Sequence, residues 1–220
     1  MEMDLGISFS RRLPVYLVLD TSRSMRGEPI KMVNDGIRLL KDSLLNNPAA
    51  IEVAYLGVIT FATEAQQIVP LTALTEFSPP ELVAGGWSAM GAALTLLGEV
   101  LGREIIPNAP ECKGDYRPIV FLMTDGRPSD GWKRAIKTLR ERARIGVFVA
   151  LGCGPGADLE VLAAIADVAL SMQEVTPEKM NGFFKWISQS IGTASRTSST
   201  PASRTVDLPP LPPFISRIGM

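Results

Sequence analysis

Three oxygen-bearing side chains follow a short apolar run near the start of the chain. The run covers residues 15–19, and Asp20, Ser22 and Ser24 come after it at intervals of two. A turn that leaves a strand can aim oxygens with this spacing at one point, and hard cations such as Mg²⁺ prefer oxygen ligands. The segment therefore predicts the first half of a divalent-metal site.

The second half of the site is predicted from two later segments. A second apolar run at 118–123 is followed closely by Asp125, and Ser88 places a hydroxyl beside the glycine pair 85–86. Asp and Ser also form turns and cap helices after a strand, and Ser88 is as well suited to cap the following helix as to bind an ion. The combination of these residues with the Asp-x-Ser-x-Ser pattern favours the metal site.

These side chains need a scaffold that brings separate segments to one edge. Apolar runs without polar interruption are typical of strands buried on both faces, and apolar residues at intervals of three and four predict helices. The predicted strands are 15–19, 51–61, 66–71, 118–123, 147–151 and 168–172. The predicted helices begin near 28, 90, 130, 158 and 177 and end near 46, 101, 143, 165 and 191. Ser129 or Asp130 is predicted to cap the helix that ends near 143.

Strands that alternate with helices predict an α/β fold. We expect a doubly wound, mostly parallel sheet flanked by helices, of the Rossmann-like kind. The run 66–71 follows 51–61 after a short turn and contains Pro70, so it predicts one antiparallel strand at an edge of the sheet, where a missing N–H is tolerated. Ligands of such sheets bind beyond the carboxyl ends of the strands, which is where Asp20 and Asp125 are predicted to lie.

The composition divides the chain into three parts. Residues 1–12 are a polar lead-in, residues 13–192 hold the alternating strands and helices, and residues 193–220 are rich in Ser, Thr and Pro. We predict that 193–220 is a flexible tail with a polyproline II segment at its proline-rich end. The folded domain is therefore expected to span 13–192.

The totals exclude several functional classes. The 220 residues carry a formal net charge of -1 with scattered basic residues, so we expect no nucleic-acid partner. No histidine is present, which excludes a Cys/His zinc site and every His-dependent catalytic triad in the chain. The first apolar run is too short for a signal sequence or a membrane span. We therefore expect a cytoplasmic protein without a membrane partner, in which Cys112 and Cys153 are reduced.

The three oxygen-bearing segments resemble the metal-ion-dependent adhesion site (MIDAS) of von Willebrand factor A (VWA) domains. The resemblance covers residues 13–192 and implies a VWA fold. It implies Mg²⁺ as the ion, with Mn²⁺ or Ca²⁺ as alternatives, and a non-enzymatic module without catalytic residues. A partner protein's Asp or Glu would complete the coordination shell. The implied metal ligands are Asp20, Ser22, Ser24, Ser88 and Asp125.

Two positions depart from the usual residues of the family. Arg23 stands where the family usually has Gly, and Ser88 stands where it usually has Thr. A serine still offers a hydroxyl oxygen. Residues 87–89 align with the family's Gly-Thr-Ser pattern in more than one register, so a neighbour of Ser88 is the alternative source of the loop hydroxyl.

Within this family, the strings 13–22, 25–30 and 183–187 are similar to the TerY-like proteins of bacterial tellurium-resistance operons. This similarity implies a role in tellurite resistance, stress response or defence. It also implies a Ser/Thr protein kinase and a PP2C-type phosphatase as partners.

Four large side chains lie close in sequence to the predicted ligands. They are Arg23, Trp87, Arg127 and Trp132. Aromatic and Arg side chains are over-represented at interface anchors, so we predict that these residues contact the partner. The two tryptophans are equally well explained as packed residues.

An enzyme is the competing hypothesis. A Mg²⁺-dependent phosphotransferase or phosphatase with Asp20 as nucleophile would also place an Asp at the end of the first strand. Such an enzyme needs a second carboxyl two residues later for proton transfer, and this chain has Ser22 there. No glycine-rich phosphate-binding motif follows the first strand. We therefore expect no enzymatic activity.

Overall fold

β1 (Leu13–Asp20) lies inside the sheet, and all eight of its residues are buried. The structure is a computed structural model that describes residues 11–110, 113–197 and 207–219. β1 pairs in parallel with β2 (Ala54–Phe61) on one side and with β4 (Ile119–Thr124) on the other. Its apolar sequence suits this position, because a central parallel strand is covered on both faces.

The sheet in the described part of the chain has seven strands in the order β3-β2-β1-β4-β5-β6-β7. The inner five strands are parallel, and the two edge strands are antiparallel to their neighbours. The other strands are β3 (Ala65–Ala73), β5 (Val147–Cys153), β6 (Val168–Met172) and β7 (Ser216–Arg217). The predicted α/β class is confirmed. The sequence predicted only one antiparallel edge strand, β3, and missed β7.

Helices cover both faces of the sheet. α1, α2 and α6 pack on one core, and α3, α4 and α5 pack on the other. Their bounds are α1 (Glu28–Leu45), α2 (Pro48–Val53), α3 (Met90–Glu104), α4 (Trp132–Arg142), α5 (Leu159–Ile165) and α6 (Pro177–Thr197). Of the helices that the structure describes, none has the length and apolar character needed to cross a bilayer.

Several predicted boundaries differ from the structure by a few residues, and two of these differences have a clear physical cause. The strand predicted at 51–61 begins only at Ala54, because the preceding residues form α2. The side chain of Asn47 caps that helix by accepting a hydrogen bond from Ala50 N. α6 continues beyond the predicted end at 191 because Ala194 in its last turns is still buried in the core.

The predicted cap of α4 is wrong. The N-cap of α4 is Gly131, which provides no side-chain hydrogen bond. Asp130 instead accepts hydrogen bonds from Gly91 N at 2.7 Å and from Ala92 N at 2.8 Å, in the first turn of α3. The carboxylate satisfies two N–H groups that a helix leaves free at this end, and its charge complements the helix dipole. Asp130 therefore fixes the start of α3, next to Ser88.

Replacing Asp130 by Ala is expected to lower the free energy of unfolding by about 0.5–2 kcal/mol, the usual cost of losing a helix cap. Urea unfolding followed by circular dichroism measures the change. Asp130→Asn keeps one acceptor oxygen and should lose less. An Asp130→Ala protein with an unchanged midpoint would contradict the capping role.

The C-terminal strap, which we define as residues 207–219, packs on the domain. Ile215 is only 5% exposed, and Trp186 Nε1 donates a hydrogen bond to Pro209 O at 3.1 Å. Phe214 packs against the same core. The prediction of a flexible tail is therefore wrong for the strap, because a few apolar side chains among the prolines are enough to bind it to α6. The polyproline II conformation and the domain boundaries stay predictions.

The end of the predicted lead-in ties the start of β1 to the segment before β4. Arg12 donates from Nε and Nη2 to the carboxylate of Asp115, at 2.8 and 2.6 Å. Its Nη2 also donates to Glu104 O at 2.8 Å, at the end of α3. Residues 1–10, 111–112, 198–206 and 220 lie outside the described residues, and with them Cys112, whose predicted reduced state stays a prediction. These bonds fix β1 and β4 relative to each other at the edge opposite the candidate site.

Candidate metal centre

All five predicted ligand residues lie at the carboxyl edge of the parallel strands. Asp20 is the last residue of β1, and Ser22 and Ser24 lie in the turn that follows it. Asp125 directly follows β4, and Ser88 lies just before α3. Because β1 and β4 are parallel neighbours, their carboxyl ends meet at one edge. The structure therefore brings the three predicted segments together.

Asp20 is the buried centre of this arrangement, with no exposed surface. Its Oδ1 accepts a hydrogen bond from Ser22 N at 2.8 Å. Its Oδ2 accepts hydrogen bonds from Ser88 Oγ at 2.9 Å and from Thr124 Oγ1 at 2.5 Å. A carboxylate that is shielded from water needs hydrogen-bond donors from the protein, since burial otherwise disfavours its charged form. Asp20 thereby joins the turn after β1, the loop before α3 and the end of β4.

Ser22, Ser24 and Asp125 form the more open side of the site. Ser22 Oγ lies 3.1 Å from Ser24 Oγ, and Ser24 Oγ donates to Asp125 Oδ1 at 2.7 Å. Neighbouring oxygens around an octahedral Mg²⁺ are about 3.0 Å apart, since each metal–oxygen bond is about 2.1 Å long. The observed separations match adjacent positions of such a shell. Ser24 is exposed, so this side faces solvent.

The donor set fits a hard divalent cation. The five side chains provide carboxylate and hydroxyl oxygens, with no thiol and no imidazole. Mg²⁺, Mn²⁺ and Ca²⁺ prefer such oxygen ligands. No cluster of three or more His, Cys, Asp or Glu side chains that could hold a metal occurs in the part of the chain that the structure describes. The hydroxyl groups are therefore needed to complete the ligand set.

The electrostatics of Asp125 also favour a cation. Burial raises the pKa of Asp125 above its usual value, the hydrogen bond from Ser24 acts in the opposite direction, and the negative charge of Asp20 raises the pKa further. Two carboxylates at one site repel each other when both are ionised. A cation between them would relieve this repulsion.

The loop before α3 is held in place by backbone hydrogen bonds. Gly85 N donates to Thr21 O at 2.7 Å, and Ser129 N donates to Ser88 O at 2.8 Å. These bonds turn the Ser88 hydroxyl towards the buried carboxylate and leave the Trp87 side chain 73% exposed. Ser88 thus lies where the predicted loop hydroxyl is required, and its direct neighbours Trp87 and Ala89 carry no hydroxyl.

Sequence reasoning missed Thr124, the last residue of β4. Thr124 is fully buried, and its hydroxyl donates to Asp20. The register pairs Leu19 with Met123, so the next residues of the two strands are also neighbours. One sequence signal would have identified Thr124. It is a hydroxyl residue at the end of a strand beside β1, and it directly precedes an Asp.

The predicted contact residues differ in their exposure. Trp87 and the arginines Arg23 and Arg127 are exposed around the open side of the site. Trp132 is only partly exposed and packs against the core on the α3 face of the sheet. The structure therefore leaves three of the four side chains accessible to a partner and supports a packing role for Trp132.

The family model of the von Willebrand factor type A domain matches residues 15–181. The chain therefore belongs to the VWA family, and the match includes the strands and loops that carry the candidate metal centre. No curated protein matches the chain.

Solved structures of two other proteins show the same fold as this chain. Proximal thread matrix protein 1 from the mussel byssus, in a structure with a zinc-occupied MIDAS motif, is 20% identical with a TM-score of 0.59, over 82% of this chain and 48% of that protein. A von Willebrand factor type A protein from Catenulispora acidiphila is 19% identical with a TM-score of 0.60, over 84% of this chain and 43% of that one. This chain thus spans less than half of either protein. At these identities the likeness shows the fold alone.

Proposed function

We propose that the chain binds one divalent cation at the carboxyl edge of its sheet. Mg²⁺ is the proposed ion, with Mn²⁺ and Ca²⁺ as alternatives. The observation that carries this proposal is the convergence of oxygens from three separate segments on Asp20 and Ser24. The zinc-occupied MIDAS motif of the mussel protein adds support from within the family. The proposed ligands are Asp20, Ser22, Ser24, Ser88 and Asp125.

We propose that the site serves to hold an Asp or Glu of a partner protein. When bound, the ion supplies an electrophilic coordination position. Ser22, Ser24 and Ser88 are neutral ligands, which leaves part of the cation's charge to attract an incoming carboxylate. Ser24 is exposed and Asp125 is only partly buried, so the carboxylate can approach from solvent while Asp20 keeps its buried hydrogen bonds.

The surroundings of the site support an acidic partner. Arg23 and Arg127 are exposed beside the open side, and positive charges at a rim favour association with negatively charged surfaces. Trp87 presents an aromatic ring to solvent, and aromatic side chains are frequent at the energetic centre of interfaces. We therefore assign partner contacts to these three residues.

The proposed cellular setting rests on the similarity of 13–22, 25–30 and 183–187 to TerY-like proteins. We propose a cytoplasmic module of a tellurite-resistance, stress-response or defence system that includes a Ser/Thr kinase and a PP2C-type phosphatase. The net charge of -1 supports a protein partner over nucleic acid.

The burial of Asp20 supports a metal-holding role over a nucleophilic one. Both of its carboxylate oxygens accept hydrogen bonds, and the residue has no exposed surface. A nucleophile must reach the substrate with a free electron pair. We therefore propose a binding module without catalytic residues.

A pull-down with the immobilised chain tests this function. Lysate is applied in Mg²⁺ or in EDTA, and bound proteins are identified by mass spectrometry. We expect a set of proteins that binds only in Mg²⁺. Ser24→Ala removes a proposed ligand and should weaken this binding by at least about 10–100-fold, the range for losing an outer-shell partner of a metal site. Binding that is equal in EDTA would overturn the proposal.

Ser43→Ala is the matched control for this experiment, because it removes a hydroxyl from α1 at a distance from the metal edge. The Ser43→Ala protein should capture the same proteins as the unmodified chain. A loss of capture in this variant would show that serine replacement disturbs the fold and not the metal site.

A further inference from the structure

A groove of about 480 Å³ adjoins the candidate metal centre. It lies between the β2–β3 hairpin and the loop that precedes α3. Thr21, Gly85 and Gly86 line it, and these residues also belong to the segments that position Asp20 and Ser88. The groove is therefore continuous with the surface around the metal centre.

Large apolar side chains are exposed at this groove. Ile68 and Val83 line it and are 37% and 83% exposed, and Trp87 next to it is 73% exposed. In the described ranges, the exposed large apolar side chains are Leu45, Ile51, Ile68, Val83, Trp87 and Ile106. Half of them thus lie at one place. Exposed apolar surface is unfavourable by about 25 cal/mol per Å² relative to buried surface. Exposed apolar patches are typical of interaction sites, so the grouping of these three side chains favours a site here.

The exposed Val83 is held by a fixed backbone on both sides. Asn34, which is buried in α1, accepts a hydrogen bond from Leu82 N at 2.8 Å and donates one to Leu82 O at 3.1 Å. Two residues after Val83, Gly85 N donates to Thr21 O at 2.7 Å. A surface that is already ordered loses little conformational entropy when a partner binds. The part of the groove around Val83 is therefore ordered before a partner binds.

The groove also carries a negative charge without a partner. Glu64 is exposed at its wall, and its carboxylate has no hydrogen bond or ion pair among the residues that the structure describes. Glu81 also lines the groove, but its carboxylate is paired with Arg38 and Asn34. A carboxylate of this kind beside apolar surface favours a Lys or Arg from a binding partner.

We propose that this groove binds the residues that flank the partner's Asp or Glu when that carboxylate coordinates the metal. The partner is a protein segment with an Asp or Glu at the metal, an apolar side chain that packs between Ile68 and Val83, and a Lys or Arg that pairs with Glu64. This inference rests on the proposed function, because the acid at the metal sets the position of the segment. A segment that is acidic throughout does not fit the groove.

A peptide library tests the inference. Peptides with a fixed central Asp and randomised flanks are selected on the immobilised full chain in Mg²⁺. We expect the enriched peptides to share a branched or aromatic apolar residue at one position relative to the Asp, and a Lys or Arg at another. Val83→Ser should remove the apolar preference and weaken the best peptide by about tenfold. Glu64→Gln should remove the preference for Lys or Arg.

The matched control is Ile106→Ser. Ile106 is a 50% exposed apolar residue that follows α3, at the edge opposite the metal centre. This variant should keep both preferences.

The possible results separate this inference from the proposed function. If selected peptides need Asp and Mg²⁺ but share no flanking residues, the groove has no such role and the metal function stands. The same conclusion follows if Val83→Ser and Glu64→Gln keep the preferences of the unmodified chain. If a library with a fixed Asn binds as well as the Asp library, or if binding persists in EDTA, the proposed function itself fails.

Discussion

Replacing Asp20 by Asn is expected to abolish the stabilisation of the fold by Mg²⁺. A ligand at 100 times its Kd adds about 2.7 kcal/mol to the free energy of unfolding, which raises the Tm of a domain of this size by about 5–10 °C. Asn has the shape of Asp but lacks its charge, and it offers one acceptor oxygen where both oxygens of Asp20 accept hydrogen bonds from Ser22, Ser88 and Thr124. Melting curves at increasing Mg²⁺ concentration, followed by circular dichroism, measure the shift.

The measured quantity is the Mg²⁺-dependent shift and not the Tm itself. Without metal, Asp20→Asn changes stability in two opposing ways, because one of the two acceptor oxygens is lost while the repulsion between Asp20 and Asp125 disappears. Asp42→Asn is the matched control, since Asp42 is exposed on α1. It should show the full shift of the unmodified chain. An equal shift in Asp20→Asn would contradict the central role of Asp20.

The carboxyl edge of the sheet could be predicted because its strands are apolar throughout and end abruptly in polar residues. Parallel topology then places Asp20 and Asp125 at the same edge without further information. Ser22 and Ser24 follow Asp20 closely in the chain, so local spacing is enough to predict that they converge. Ser88 lies far away in sequence, and its place depends on backbone bonds to other segments that no local pattern shows.

The features that sequence reasoning missed all depend on contacts between distant segments. Asp130 lies directly before α4, so local capping rules assign it to that helix. It caps α3 instead, 39 residues back along the chain. Thr124 acts through a neighbouring strand, and its role appears only when the register of β1 and β4 is known. Composition predicted the C-terminal strap as solvated, although Ile215 and Phe214 bind it to the core.

Replacing Ile215 by Ala is expected to lower the free energy of unfolding by about 2–5 kcal/mol, the range for truncating a buried large aliphatic side chain. Ile215 is 5% exposed in the core between the sheet and α6, and its N–H donates to Pro212 O at 3.0 Å just before β7. Urea unfolding followed by far-UV circular dichroism measures the change. Ser216→Ala is the matched control: Ser216 is exposed in the same strap, so the change should stay below about 0.5 kcal/mol.

The loss of unfolding free energy in Ile215→Ala has an upper limit. Once the strap has detached from the core, its missing contacts cannot lower the stability of the domain any further. A chain that ends at Thr197 should therefore be at least as unstable as Ile215→Ala. In both proteins Trp186 loses its hydrogen bond to Pro209 O and gains access to water. A red shift of its fluorescence, measured with Trp87 and Trp132 replaced by Phe, reports the detachment. If the shortened chain unfolds at the same urea concentration as the full chain, the packed strap does not stabilise the domain and the expected effect is contradicted.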